Sequence, residues 1–123
     1  MSATDPVRRV RAWLAACLDN MPVSTEVPRD AHGLAAYVVV SPNGGYEDDF
    51  LDVPQLLVDC HAASDLSAYD PARAVAAHVR ELPGADPWVS SATTGEPYRN
   101  SWARSTTPAG HCFSVACDLV INK

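Results

Sequence analysis

The sequence predicts an α+β fold: a mixed, mostly antiparallel β-sheet with two α-helices packed on one face. Three observations carry that expectation. Apolar residues recur at helical spacing near the N-terminus, in Val7, Val10, Leu14, Cys17, Leu18 and Met21. The stretch from Pro54 to Leu82 reads as a strand, a short polar link and a helix that is apolar on one side. The stretch from His111 to Asn122 alternates, with Phe113, Val115, Cys117, Leu119 and Ile121 on one face and Ser114, Asp118 and Asn122 on the other. The predicted order is α-β-β-β-α-β-β in one domain over residues 1–123, without internal repeats or low-complexity tracts.

Each element has its own local signal. Asp5-Pro6 starts the first helix, because Asp caps orphan N–H groups and Pro suits the first helical position. Asn20 and Pro22 stop it, and Trp13 flanks its apolar stripe. Val23 to Arg29 is a short edge strand ended by Pro28, followed by a turn at Ala31-His32-Gly33. Leu34 to Ser41 is a stronger strand, with Tyr37, Val38, Val39 and Val40 at its centre. Pro42-Asn43-Gly44-Gly45 breaks it in a hairpin turn. The returning segment, Tyr46 to Val53, carries Glu47, Asp48, Asp49 and Asp52 and reads as a solvated loop, since it lacks the ligand spacing of a calcium loop.

In the next strand, Pro54 to Ala62, the residues Leu56, Val58, Cys60 and Ala62 share the inner face. The following helix is clearest from Asp70, where Asp70-Pro71 repeats the start signal, although Ala68 also fits a turn beginning at Asp65. Ala72, Val75, Val79 and Leu82 continue its stripe, and Pro83-Gly84 terminates it. Trp88 to Thr94 is a strand, and Gly95-Glu96-Pro97 a turn. Tyr98 to Thr107 is an exposed strand or arm leading to the closing strand.

Composition limits the functions available. A chain of 123 residues, 47% of them hydrophobic, suits one domain with its own core. A net charge of −6 disfavours a grip on nucleic acid, which needs a basic surface to displace counterions. Arg8, Arg9 and Arg11 read as a solvated helix face. No apolar run of about 7–15 residues opens the chain as in a signal peptide, and none approaches the about 20 residues that span a bilayer. A soluble protein made in the cytoplasm is expected. Cys17, Cys60, Cys112 and Cys117 then read as reduced thiols, and without a CxxC pair a zinc knuckle is not expected.

Cys60-His61 and His111-Cys112 invite a nucleophile or metal reading. Neighbours in a strand point to opposite faces, so neither dipeptide is itself a catalytic pair, although a Cys of one strand can meet a His of another. Cys60 and Cys117 fall on inward faces, where cysteine behaves as a small hydrophobe. His78 lies off the helix stripe and reads as solvated. No nucleophile elbow, phosphate loop or His-Glu-x-x-His motif occurs, so no catalytic residue, metal or cofactor is expected. Trp88, Tyr98 and Trp102 lie in a polar, turn-rich region; they either fold back over the sheet edge or face a partner.

The order of parts resembles the tail terminator (tail completion) proteins of siphophages, especially those of actinobacterial phages. The resemblance spans nearly the whole chain. It runs from the amphipathic first helix, through Tyr37-Val38-Val39-Val40 breaking at Gly44-Gly45, to Pro54-Gln55-Leu56-Leu57-Val58-Asp59-Cys60-His61-Ala62. An Ala-rich helix ending Leu82-Pro83-Gly84, a polar hairpin and a closing apolar strand complete it. The chain departs from the family at His61, where the middle strand often carries an aromatic.

The resemblance implies a structural virion protein and no enzyme. Such a protein forms a ring, commonly a hexamer, at the head-proximal end of the tail. It ends tube polymerisation and offers a surface for head-tail joining. The partners implied are further copies of the chain, the tail tube protein and the head-tail connector protein. Neither a membrane nor specific nucleic-acid binding is implied, although DNA crosses the ring. Six copies at −6 each would carry on the order of −36, which suppresses phosphate binding. A ring with one repeated contact needs two different surfaces per subunit. The candidate contacts are the 42–52 loop, with Glu47, Asp48 and Asp49, and the 95–110 arm, with Tyr98, Arg99, Trp102 and Arg104. The alternatives are another phage neck component, a small cysteine-dependent α+β enzyme, or a binding module.

Overall fold

A computed structural model describes residues 5–19, 21–29, 33–101 and 110–123. Among them the order is α1 (Pro6–Cys17), β1 (Val23–Ser24), β2 (Ala36–Glu47), β3 (Leu51–Ala62), α2 (Asp65–Arg80), α3 (Leu82–Ala85), β4 (Val89–Thr94), β5 (Tyr98–Arg99) and β6 (His111–Asn122). The six strands form one mixed sheet in the order β1-β2-β3-β6-β4, with β5 also on β6. Only the β1–β2 pairing is parallel. The α+β expectation holds, with one short helix and one short strand added to the order.

The sheet is built around β3 and β6, which pair from Leu51↔Asn122 to Ala62↔His111. Their alternation does what the sequence pattern requires. Leu56, Val58 and Cys60 face the same side as Val115, Cys117 and Leu119, and on that side they meet Val10 and Leu14 of α1 and Val75 and Val79 of α2. Both long helices therefore cover one face and share one core. Trp13 locks them together by donating its indole N–H to the His78 carbonyl at 2.7 Å. Asp5 caps α1 as expected, accepting from the Arg8 N–H at 3.4 Å.

Several local expectations are corrected. Arg8, Arg9 and Arg11 are not one solvated face: Arg9 pairs with Asp86, and Arg11 donates to the Val23 carbonyl at 3.3 Å. The edge strand at 23–29 shrinks to Val23–Ser24. Pro42-Asn43-Gly44-Gly45 does not turn the chain. Gly44 and Gly45 adopt φ of +103° and +101° and form a register shift within β2, which continues to Glu47. Asn-Gly supplies positive φ, and a bulge uses that freedom as readily as a hairpin turn. A Cβ on Gly45 would lie 2.3 Å from the Val53 carbonyl oxygen, so the close approach of β3 also demands glycine there. Pro42 is tolerated because β1 reaches only Val38 and Val39 of β2's outer edge.

The true turn lies at 48–50. Asp48 Oδ1 accepts the N–H groups of Phe50 and Leu51, each at 2.8 Å. The acidic segment is thus mostly strand and turn, and Asp52 is buried at the start of β3. Helix α2 starts at Asp65, capped by Ser64, whose Oγ accepts from Ser67 N at 3.2 Å. Pro71 falls inside α2, and its missing donor leaves only the carbonyl of the exposed Ser67 unserved. Pro83-Gly84 does not end helical structure either; it lies within the single turn of α3, where Pro suits an early helical position.

Candidate functional site

The face of the sheet opposite the helices holds the chemically suggestive side chains. Register places His61 of β3 opposite Cys112 of β6, and Tyr37 of β2 opposite His61. The cross-strand meeting of a cysteine and a histidine that the sequence allowed does occur. Tyr37 and His61 stack with ring centroids 4.6 Å apart, both buried. Among the described residues, Tyr37 OH and His61 Nδ1 have no hydrogen-bond partner. Beside them, Ser114 Oγ donates to Asp59 Oδ1 at 2.5 Å and accepts from Asn100 Nδ2 at 3.0 Å.

The electrostatics of this band oppose nucleophilic use. Burial pushes the Cys112 thiol up to about 12, and the Asp59 carboxylate adds to the effect. Burial likewise pushes Cys117 up to about 12 and raises Cys60 further still. Cys17 is raised too, by burial and by Glu81. A reactive thiol needs an electropositive, accessible setting; Cys60, Cys112 and Cys117 are buried, and the partly exposed Cys17 has the carboxylate of Glu81 nearby. Burial lowers His61 below its ordinary value, against the pull of Asp59. His78 is half-buried, not solvated, with Nδ1 3.9 Å from Glu81 Oε1. Among the described residues, no three His, Cys, Asp or Glu side chains are grouped to hold a metal, and no helix is long and apolar enough to cross a membrane.

The predicted contact residues divide. Glu47 pairs with Lys123 Nζ at 2.8 Å, and Lys123 also donates to the Asp48 carbonyl at 2.7 Å. Two backbone N–H groups hold the Asp48 carboxyl below its ordinary value. Both residues therefore build the turn they stand on, while Asp49 is exposed and makes no ion pair among the described residues. Arg99 is paired with Asp65, which also bonds His111 Nδ1 at 2.8 Å, so Arg99 ties β5 to the start of α2. Tyr98 is exposed on the opposite face, across from Ser114. Trp102 and Arg104 lie outside the described residues, as does His32.

Exposed apolar side chains mark further surfaces, of which the sequence singles out Trp88 but not Phe50 or Leu66. Phe50 is 78% exposed at the β2–β3 turn, and Tyr46 is exposed in the strand leading into it. Trp88, 54% exposed, lies at the same end of the sheet, because its carbonyl bonds Asn122 N while Phe50's bonds Lys123 N. At the far end, Leu66 is 68% exposed and borders an open depression with Tyr69, Phe113 and Asp65. The sequence places Trp88 at the start of a strand, either folded over the sheet edge or facing a partner; the strand starts one residue later, and Trp88 is exposed. The available signal for Phe50 was a large aromatic amid four carboxylates, where no core-facing alternation exists. For Leu66 it was a leucine two residues off the α2 stripe set by Ala68 and Ala72.

No protein-family model matches the chain, and a search of curated proteins finds no match either.

Proposed function

We propose that this is a structural virion protein that assembles as a ring capping a siphophage tail tube, ends tube polymerisation and presents a surface for head-tail joining. One observation carries the reading: the chain leaves large apolar side chains exposed at both ends of its sheet, while Cys60, Cys112 and Cys117 are buried. Exposed apolar surface of this kind marks association, and two distinct surfaces at separate ends suit the repeated contact of a ring. The order of elements over nearly the whole chain supports the same reading. Its departure at His61 is a mild one, since the histidine ring stacks on Tyr37 as an aromatic would. The net charge of −6 per copy suits a channel that DNA must cross without sticking.

The test is imaging. Purified protein is examined by negative stain and light scattering, alone and with its cognate tail tubes. Rings, free or on tube ends, are the expected result. A chain that stays monomeric and leaves tube ends bare overturns the reading.

A further inference from the structure

We infer that the β2–β3 turn of one copy seats in the Leu66–Tyr69–Phe113 depression of the next, with Phe50 entering the depression and Asp49 pairing with Arg73. This rests on the ring reading above and names its subunit contact. Phe50 stands almost clear of its own chain at the tip of the turn. The depression is open and almost wholly apolar in lining; its one carboxylate, Asp65, is already engaged by Arg99 and His111. Tyr69 and Phe113 meet edge to face with centroids 5.2 Å apart, leaving an aromatic floor beside Leu66. Arg73 lies over the Tyr69 ring at 6.0 Å and makes no ion pair among the described residues.

Position and charge choose the occupant. The turn precedes β3 and the depression follows it, so they lie at opposite ends of a strand of 12 residues, roughly 36 Å apart. One copy cannot close this contact on itself. Two turns meeting tip to tip would repel, since Glu47, Asp48, Asp49 and Asp52 gather there against Lys123. Around the depression, Arg73 and Arg99 balance Asp65 and Asp70. The acidic end is therefore repelled by its like and not by the balanced end, where Arg73 offers it an opposite charge. Unlike surfaces in contact make a heterologous interface, which propagates and closes when its rotation permits.

Sedimentation velocity over a concentration series tests this on the full chain, on Phe50→Glu, on Leu66→Glu and on an equimolar mixture of the two variants. Both positions are exposed, and thermal melting checks that folding is retained. Each variant alone is expected to weaken self-association at least tenfold. The mixture is expected to recover a dimer, because one intact turn and one intact depression remain. Asp49→Arg should weaken association, and adding Arg73→Glu should restore it. Association unchanged in both single variants overturns this contact while leaving a ring built otherwise. Variants that fail singly and also in the mixture overturn the heterologous pairing. A wild-type chain that stays monomeric at every concentration overturns the contact, and tube-end imaging then judges the cap reading separately.

Discussion

The two faces of the sheet are built on different physics. The helix-covered face is a continuous apolar core, from Val10 and Leu14 through Val40, Val58 and Val115 to Leu119 and Ile121. The opposite face is buried only toward one end, around Tyr37, His61, Cys112 and Ser114, while Ala116 and Asp118 further along β6 are exposed. On the first face, burial of apolar area stabilises without direction. On the second, a stacked pair, a Ser–Asp hydrogen bond and two polar atoms without a partner among the described residues share a small volume. One face can absorb variation by repacking, whereas the other is held by particular pairings.

The largest expected effect falls on the helix side. Leu119 is fully buried among the helices' contacts. Leu119→Ala should cost about 2–5 kcal/mol, the lost transfer free energy plus a residual cavity. Urea unfolding followed by circular dichroism reads it as a lowered midpoint with an unchanged slope. A loss under about 1 kcal/mol would mean that this face collapses around the gap and is not the main store of stability.

This difference also explains what the sequence revealed. Period-two alternation marked β6 at its true bounds, His111–Asn122, and the 3.6-residue stripe marked α1 and α2, because a single apolar face imposes a single period. The opposite face carries no such period. Nothing in the sequence indicates that Tyr37 meets His61 or that Ser114 meets Asp59, since both pairings depend on a register fixed by the other face. The β2–β3 turn was misplaced for a local reason. Gly44 and Gly45 offer positive φ, but the side-chain oxygen that secures the turn belongs to Asp48, three residues later. The candidate contacts are legible in the sequence only as a region: four carboxylates mark the acidic segment, while the place of Phe50 at its tip depends on the turn that Asp48 secures.

On the opposite face, the Ser114–Asp59 hydrogen bond is the contact to break. Ser114→Ala leaves the Asp59 oxygen without its donor and removes an acceptor from Asn100. A hydrogen bond to a charged group is worth about 1.5–3 kcal/mol, and Asp59 is half-buried, so a loss at the lower end of that range is expected. Asp59→Asn keeps an acceptor and should cost less. If Ser114→Ala leaves the unfolding midpoint unchanged, the second face is packed by its apolar members, and the contrast between the faces weakens.

The smallest effect is also the one that separates the faces by pH. Burial lowers the His61 pKa in the folded state from the ordinary 6.5, so the folded chain prefers the neutral ring. The unfolded chain binds a proton once pH falls below 6.5, and the folded chain does so only at lower pH. Stability from this residue is therefore fully present above 6.5 and declines as pH falls from there toward the folded pKa. His61→Phe keeps a ring to stack on Tyr37, sacrifices no bond at Nδ1 to any described residue, and cannot take up a proton. Urea midpoints measured from pH 8 down to pH 5 should converge on those of the wild type at the top of the range and exceed them increasingly below 6.5. Parallel curves would mean that the folded chain protonates His61 as readily as the unfolded one, and that the face opposite the helices is wetter than its buried rings indicate.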